Sequence, residues 1–501
     1  MSGEPGLSPQ LENFRETRRN LEASVLPLAT SVDGRRFSFQ ASLYGLQLEV
    51  GGYVVLDGGG ITRLGQVHAL ELDRQLGTEL ALPTRAGGAP ESRTRVQIRY
   101  ARGGGMVLEG DSAPFHDALV RAASGAEVRA WLQRSERRPA KLRLGELALA
   151  ADVPCLAEVG GFGRHTVMCG QSGSGKTYSL AVILERLLME TGLRLVVLDP
   201  NSDFVRLGEV RADADPALAE RYREVARRVV IYSADAPGGR RLRLHVAEID
   251  PVTQAALLRL DPIEDREEYA ALAALLASKN PPTLEALTGS GHPEARRLGL
   301  RVRNLGVDRF SVWASGEAGS VLDAVHDQGI RCVVIDLGSL PTREKQSLVA
   351  GAVLSDLWRH RQERRPILIV IDEAHNVCPA EPPDLLAAVP AELAMRIAAE
   401  GRKFGLYLLV STQRPQKLPQ NVLSQADNLV LMRLNSLADT AFAEAAFSFV
   451  PPSLIERSVT FCRGDGLIAG KFSPQPALLR FDARISQEGG ADVPATWAAA
   501  R

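Results

Sequence analysis

The sequence contains few of the residues that build secreted or membrane-spanning proteins. Only five of its 501 residues are cysteines, and they are widely spaced: Cys155, Cys169, Cys332, Cys378 and Cys462. This spacing argues against a disulfide framework or a cysteine-based metal site and fits a reducing cytoplasm. The longest apolar run, Tyr269 to Ala277, is far shorter than the roughly 18 residues that span a bilayer. Residues 1–30 carry charges throughout, unlike a signal peptide. We therefore expect a cytoplasmic protein with no membrane partner.

An excess of positive charge is also missing, since the net charge is −1. This excludes a protein that coats nucleic acid through overall basic charge, although basic loops can still be concentrated in the pore of a ring. Lysine is scarce, with seven lysines against 52 arginines. Each remaining lysine, including Lys176, therefore weakly marks a place where an ammonium group is needed.

Residues 1–30 form a polar segment that we interpret as a tail or helix. Two regions with different sequence patterns follow it. Residues 31–140 contain short alternating runs separated by glycine, which predict a small β-barrel or sandwich. A loosely packed irregular domain is the alternative. A basic stretch, Gln133–Arg143, reads as a linker. The runs are Arg36–Gln40, Gly52–Leu56, Leu64–Leu72 and Arg95–Ile98.

Residues 150–480 alternate between apolar strand-length runs and helical periodicity. This pattern predicts an α/β fold with a mostly parallel sheet covered on both faces. Strands become scarce between about 205 and 325, which predicts a helical insertion, and residues 481–501 form a C-terminal tail. The apolar runs are Thr166–Met168, Leu193–Leu198, Cys332–Leu337, Ile367–Ile371, Leu406–Val410 and Leu429–Leu434.

A glycine-rich motif, Gly-x4-Gly-Lys-Thr, lies between the first of these strands and a helix. Its glycines let backbone N–H groups point at phosphate oxygens, so the motif predicts an ATP site. Lys176 would reach the β- and γ-phosphates, and the Thr177 hydroxyl would ligate Mg²⁺. A glycine-rich turn without a ligand is the alternative. The predicted nucleotide-binding residues are Gly170, Gln171, Ser172, Gly173, Ser174, Gly175, Lys176, Thr177 and Tyr178.

Three apolar strands end in aspartate, at Asp199, Asp336 and Asp372. Any of them can hold Mg²⁺ through water, but only Asp372 is followed by a second carboxylate, Glu373. We therefore expect Asp372 to hold the metal and Glu373 to polarise the attacking water. Two ordinary carboxylates at a strand end are the alternative.

Two further polar residues are candidates for the reaction. Gln413 follows the next strand, where it can touch both the γ-phosphate and the water. Arg402 lies on a helix end just before that strand, and P-loop motors commonly take such an arginine from a neighbouring subunit. The alternatives are a routine polar strand end for Gln413 and a basic helix C-terminus for Arg402.

Taken in order, these residues resemble the HerA family, ring-forming ATPases related to the FtsK translocases. The resemblance covers most of the chain, and each motif is modest by itself, whereas their joint order is specific. The motifs are Phe162–His165, Leu198–Pro200, Val370–His375, Gly401–Gly405 with Ser411–Pro415, and Arg484–Gly490.

The resemblance implies a RecA-like P-loop motor domain preceded by the barrel, assembled as a homohexamer with ATP between subunits. It assigns Lys176 and Thr177 to phosphates and Mg²⁺, Asp372 and Glu373 to metal and water, and Arg402 to the neighbour's nucleotide. It also implies double-stranded DNA in a central channel and a C-terminal brace. A nuclease or other effector would dock on the ring, in DNA end processing or in anti-phage defence.

The leading hypothesis is an ATP-driven DNA translocase or helicase that feeds or regulates a partner nuclease. An ATP-gated ring scaffold that switches an effector without processive translocation is the alternative. A secretion or conjugation ATPase is a third reading, disfavoured because such proteins work at membranes. The candidate DNA contacts, each of which ordinary surface charge also explains, are Arg343, Lys345, Arg414 and Lys417.

Overall fold

The computed structural model describes most of the chain. Beyond Glu16, Arg19 and Asn20, the described residues are 26–43, 47–73, 79–84, 92–97, 100–109, 113–134, 141–235, 239–277, 293–314, 318–473 and 475–490. They form two compact units, one built from Met1–Arg138, Glu146–Pro154 and Pro451–Arg457, the other from Pro139–Gly145, Cys155–Val450 and Ser458–Arg501.

The first unit contains a closed six-stranded barrel with strand order β1-β2-β7-β4-β3-β8, and a separate β5-β6 hairpin. It also contains helices α1 (Gly125–Arg134) and α13 (Pro452–Glu456). The strands are β1 (Leu28–Ser31), β2 (Arg36–Ser42), β3 (Tyr53–Gly58), β4 (Ile61–Leu72), β5 (Glu79–Thr84), β6 (Ser92–Gln97), β7 (Tyr100–Val107) and β8 (Phe115–Ala122).

Alternation of side chains explains why this segment closes into a barrel. Strand β2 alternates exposed and buried positions, and its Phe37 and Phe39 enter the barrel core. Facing them, β7 carries glycines because a Cβ at Gly103 would lie 2.1 Å from the Phe39 ring, and one at Gly105 would lie 1.9 Å from the Gln66 carbonyl oxygen. The predicted barrel is confirmed.

The second unit is built on a twelve-stranded sheet with order β10-β9-β20-β19-β18-β11-β17-β16-β12-β15-β13-β14. The strands are β9 (Lys141–Leu147), β10 (Pro154–Glu158), β11 (Thr166–Cys169), β12 (Arg194–Asp199), β13 (Val229–Ser233), β14 (Arg240–Arg241), β15 (Cys332–Asp336), β16 (Ile367–Ile371), β17 (Leu406–Thr412), β18 (Asn428–Leu431), β19 (Asp465–Gly470) and β20 (Ala477–Phe481).

Helices connect these strands. They are α2 (Lys176–Glu190), α3 (Pro216–Ala226), α4 (Pro251–Leu257), α5 (Arg266–Leu276), α6 (Pro293–Leu305), α7 (Val321–His326), α8 (Arg343–Arg359), α9 (Ala374–Val377), α10 (Leu385–Glu400), α11 (Gln420–Ser424) and α12 (Leu437–Ala446). Two short 3₁₀ turns, Gly401–Phe404 and Pro415–Lys417, flank β17.

The strands from β18 to β14 pair in parallel, so their carboxyl ends meet at one edge of the sheet. Strands β12, β15 and β16 are buried along almost their whole length, because sheets covered by helices on both faces need continuous apolar runs. The register places Asp199 opposite Asp336 and Leu198 opposite Ile371. The predicted α/β fold is therefore confirmed.

Three details differ from the sequence-based expectation. The predicted insertion, 205–325, contains two strands of the main sheet, since β13 pairs with β15 and β14 pairs with β13. The sheet is also extended by antiparallel strands, because β19 pairs antiparallel to β18 and to β20. Finally, the run predicted as Leu429–Leu434 ends as a strand at Leu431. Among the described residues, none of the helices is long and apolar enough to cross a membrane.

His165, just before β11, is 2% exposed and links two parts of the sheet. Its Nδ1 accepts a hydrogen bond from the Leu408 N–H at 3.0 Å, and its carbonyl accepts from Asn428 N–H at 3.2 Å. Burial, and after it the charge of Arg402, lowers the pKa of His165 from 6.5 to about 4. The ring is therefore neutral in the folded protein at physiological pH.

We predict that the second unit loses stability as pH falls from 6.5 toward 4. The unfolded ring takes up a proton at 6.5 and the folded ring only near 4, so the loss from this group reaches about 3 kcal/mol. His165→Asn keeps an acceptor for Leu408 without titrating, and its unfolding midpoint should fall less steeply with pH. His116→Asn, at an exposed ring, is the control. Equal slopes for His165→Asn and wild type would contradict this role.

Candidate functional site

The glycine-rich loop connects β11 to α2 at the carboxyl edge of the sheet. Gly173 and Gly175 adopt positive φ angles of 74° and 90°, which favour glycine, and Gly175 is the residue that precedes the first turn of α2. A Cβ on Gly170 would lie 2.4 Å from the Met432 Cβ, so the loop packs tightly against the segment that follows β18 in the same chain. This backbone leaves N–H groups at a helix N-terminus, the arrangement that binds phosphate.

The other loop residues divide between the surface and anchoring contacts. Ser172 is exposed and Thr177 half-buried, whereas Ser174 is buried. The Gln171 side chain donates to Asp439 Oδ2 at 3.0 Å. The Tyr178 hydroxyl accepts from the Arg484 N–H at 2.8 Å, so Tyr178 is tied to the C-terminal segment.

Lys176 is buried at the centre of the site. Its Nζ lies 2.9 Å from Glu373 Oε1, 3.2 Å from Asp372 Oδ1 and 3.0 Å from Ser411 Oγ. Burial alone would lower the pKa of Lys176, but the Asp372 and Glu373 carboxylates outweigh it and raise the pKa. The sheet thus brings together a cation and two anions that lie nearly two hundred residues apart in the sequence.

Asp199 and Asp203 complete an acidic cluster beside Asp372. One oxygen from each of the three carboxylates lies within 4.8 Å of the others. Burial, and the charge of Asp372, raise the pKa of Asp199 to about 8 and that of Asp203 to about 6. Asp199 accepts from the backbone N–H groups of Asp203 and Phe204, so it shapes the loop that carries Asp203.

The third strand-end carboxylate lies in a different environment. Asp336 Oδ1 accepts from Ser202 Oγ at 2.7 Å and from the Ser339 N–H at 3.1 Å. These contacts give Asp336 a structural role in holding two loops together.

Asp372 fits the predicted magnesium ligand. It is fully buried, and among the described residues its Oδ2 has no hydrogen-bond partner. Such an orphaned oxygen has a partner if a hydrated cation lies beside it. Thr177, the first residue after Lys176 on α2, is the second oxygen donor that the chain offers a cation at the phosphates.

Glu373 is held in a defined orientation by the neighbouring strand. Its φ of 38° is in the left-handed region, which is uncommon for a residue other than glycine and marks local strain. The Gln413 side chain donates to Glu373 Oε1 at 2.7 Å, and the Gln413 N–H donates to Oε2 at 3.3 Å. The structure therefore places Gln413 directly against the predicted water-polarising carboxylate.

His375 and Thr412 were not assigned roles from the sequence. His375 Nδ1 lies 3.0 Å from Thr412 Oγ1 and 3.3 Å from Glu373 Oε2. Thr412 Oγ1 also accepts from the Arg414 N–H at 3.0 Å. The polar run Ser411–Thr412 at the end of an apolar strand was the available signal in the sequence. His375 is thus a further polar side chain in contact with Glu373, beside Lys176 and Gln413.

Three of the four predicted DNA contacts lie together. Arg343, Arg414 and Lys417 line a cavity of about 470 Å³, which His375 also lines. Lys345 is directed elsewhere, with its Nζ 5.0 Å from the centre of the Phe310 ring. Three candidate DNA contacts therefore line the same cavity as His375, which lies beside Glu373.

Arg402 lies away from these residues in its own chain. It donates to Asp427 Oδ2 at 2.5 Å, within the 3₁₀ turn that precedes β17. Thr412, which pairs with Cys169 beside the phosphate loop, lies at the other end of that strand, roughly 20 Å away along the strand. Arg402 therefore cannot contact a nucleotide held by Lys176 of the same chain.

The C-terminal segment 484–490 packs on the same chain. The buried Glu185 of α2 accepts from the Ile485 N–H at 2.9 Å and the Ser486 N–H at 2.7 Å. Burial raises the pKa of Glu185. Gly489 N–H donates to the Asp203 carbonyl at 3.0 Å, so this segment connects the phosphate-loop helix to the acidic cluster.

Comparison with known proteins gives a consistent picture. Residues 142–289 match a family model described as helicase HerA, central domain. The chain is similar to the DNA double-strand break repair helicase HerA of Sulfurisphaera tokodaii, at 23% identity over 77% of each chain. It is also similar to that of Pyrococcus furiosus, at 24% identity over 70% of this chain and 73% of the relative.

Among solved structures, VirB4 of Thermoanaerobacter pseudethanolicus is similar at 18% identity and a TM-score of 0.45, over 69% of this chain and 97% of that one. The sequence relatives and the family match confirm the predicted resemblance and the predicted ATP-hydrolysing activity.

We predict that Glu373→Gln retains ATP binding while steady-state turnover falls by at least about 100-fold, because the carboxylate that polarises water is lost. Gln keeps acceptor and donor atoms at the position of the Glu373 carboxylate. Turnover is measured by phosphate release and binding by a fluorescent ATP analogue. Lys176→Ala, which removes the phosphate-binding cation, should lose both. Normal turnover in Glu373→Gln would remove Glu373 from catalysis.

Proposed function

Because the chain is a HerA-type P-loop ATPase, we propose that it is an ATP-driven motor that moves double-stranded DNA. The motor works as a ring of six subunits in the cytoplasm, with ATP and Mg²⁺ at each subunit interface and a nuclease or other effector as partner. The observation that carries this proposal is the chain of polar contacts between Glu373 and the cavity that holds Arg343, Arg414 and Lys417. A motor needs such a connection because hydrolysis has to be coupled to a DNA-gripping surface. Carboxylates of Glu344, Glu381 and Asp384 line the same cavity.

The connection has two arms that leave the same carboxylate. One runs from Glu373 to Gln413 and along the backbone to Arg414. The other runs from Glu373 through His375 to Thr412, which accepts from the Arg414 N–H. Both arms converge on the loop that carries Arg414 and Lys417. A change in the position of Glu373 during hydrolysis would thus be transmitted to the residues that line the cavity through these few polar contacts.

The residues divide the chemistry as follows. Bound Mg²⁺ would neutralise phosphate charge, held by Thr177 and, through water, by Asp372. Lys176, now paired with Glu373, would turn to the phosphates when ATP enters and release the Glu373 carboxylate. Glu373 then polarises the attacking water, which Gln413 orients.

The curated relatives support a role in DNA end processing. Those from Sulfurisphaera tokodaii and Pyrococcus furiosus are both described as DNA double-strand break repair helicases. An effector recruited to the ring, whether in repair or in anti-phage defence, would act on the DNA that the motor delivers.

We predict that linear double-stranded DNA stimulates the ATPase several-fold at low salt and that stimulation weakens as salt rises, because phosphate contacts release counterions. Lys417→Ala should lose most of the stimulation while keeping the rate without DNA. Lys471→Ala, an exposed lysine outside the cavity, is the matched control, and Lys176→Ala is the blank. A rate indifferent to DNA at every salt concentration would favour the ATP-gated scaffold instead.

We predict that Arg402 acts on the neighbour's nucleotide. Arg402→Ala should bind ATP and lose roughly 10³-fold in turnover, as expected for a transferred arginine. Mixing Arg402→Ala with Lys176→Ala subunits restores activity, since about a quarter of interfaces in a random ring then combine an intact Lys176 with an intact Arg402.

Coexpression of the two variants, followed by phosphate-release measurements on the purified mixed ring, provides the test. A mixed ring as inactive as either parent would place the effect of Arg402 within its own subunit, for example through its ion pair with Asp427.

A further inference from the structure

A second cluster of metal-binding side chains lies apart from the nucleotide site. We propose that His326, Asp356 and His360 form a binding site for one transition-metal ion, with Zn²⁺ as its natural occupant. One ring nitrogen of each histidine and one oxygen of Asp356 lie within 4.8 Å of one another. The proposal is independent of the translocase function.

The fold explains why these three residues meet. His326 is the last residue of α7, and His360 directly follows α8, one turn after Asp356. Helix α7 leads into the amino end of β15 and α8 into that of β16. The cluster therefore lies at the amino edge of the parallel sheet, opposite the edge that carries Lys176.

The arrangement has the features of a supported ligand set. Asp356 is 4% exposed, and the Arg359 guanidinium donates to its Oδ1 at 2.7 Å and to the Glu248 carbonyl at 3.1 Å. Asp356 Oδ2 is left facing His326. Carboxylates that bind a metal are commonly oriented by a hydrogen bond to one oxygen, and the other oxygen then binds the cation.

The histidines are close to each other and partly open to solvent. Their ring centres are 4.4 Å apart with an interplanar angle of 66°. His360 Nδ1 lies 3.0 Å from the Asp356 carbonyl oxygen and 3.3 Å from Asp356 Oδ1. Since the side chains of His326 and His360 are 27% and 41% exposed, solvent reaches both rings, and water can take a fourth position.

The donor set selects the class of ion. Two imidazoles and one carboxylate suit Zn²⁺, and also Co²⁺ as a spectroscopic substitute, whereas Mg²⁺ and Ca²⁺ prefer oxygen ligands alone. Zinc bonds of about 2.0–2.2 Å separate tetrahedral ligand atoms by about 3.3 Å. The metal replaces the hydrogen bond between His326 and Asp356 when it binds. A metal bound through His360 Nε2 leaves the contact of His360 Nδ1 with the Asp356 carbonyl in place.

The test uses the full chain, stripped of metal by chelation and free of nucleotide. Zn²⁺ binding is measured by calorimetry and Co²⁺ binding by visible absorption. We expect one Zn²⁺ per chain and tetrahedral Co²⁺ bands, with affinity at least about 100-fold lower in His326→Gln and in His360→Gln. Gln preserves the hydrogen bond to Asp356, so circular dichroism and ATP binding should show that both variants fold.

Two controls separate this site from the others. His116→Gln removes a histidine that lies 3.0 Å from Asp117, with no third ligand among the residues that the structure describes. This variant should bind Zn²⁺ as wild type does. Asp372→Asn disables the magnesium site and should also leave Zn²⁺ affinity unchanged. Unaltered Zn²⁺ binding in both His326→Gln and His360→Gln, a sulfur-to-cobalt band that assigns the ion to Cys462, or no binding by wild type would each overturn the proposal.

Discussion

A buried ammonium group between two carboxylates organises the whole motor unit. Removing Lys176 from water is costly unless opposite charges meet it, and Asp372 and Glu373 meet it within 3.2 Å. That contact requires α2 to begin at the edge of the sheet where β16 ends. The glycines of the phosphate loop and the strained backbone at Glu373 lie at the two chain segments that meet there.

Local patterns predicted much of the fold because each strand of a sheet that helices cover on both faces is an uninterrupted apolar run. The run Ile367–Ile371 is a strand with those same bounds. Strand β13 has the same length but is only partly buried and lies between helical segments, so its sequence carried too little signal against the surrounding helices. The antiparallel strand β19 begins and ends in polar or glycine residues, and pairing partners across the sheet leave no trace in local sequence.

The site shows the same division. The phosphate loop and the Asp372–Glu373 pair are contiguous motifs, which a single sequence displays. The contacts of Lys176 with Ser411, and of Glu185 with the segment near Ser486, join residues hundreds of positions apart. Their closeness depends on the order of strands in the sheet, so spacing along the chain holds no information about them. His375 was part of a quoted motif, but its partner Thr412 becomes visible only once β16 and β17 are neighbours.

The barrel-containing unit includes Pro451–Arg457, a stretch that the ribosome makes some three hundred residues after the barrel strands. There Arg457 binds the Val50 carbonyl at 2.8 Å and the Glu49 carboxylate at 2.6 Å. During synthesis the barrel therefore emerges long before its last segment, and it reaches its final form only when most of the motor has been translated. A protein cut once between the two units would therefore have a barrel without this segment. The first unit can be completed only in a chain that also contains most of the second.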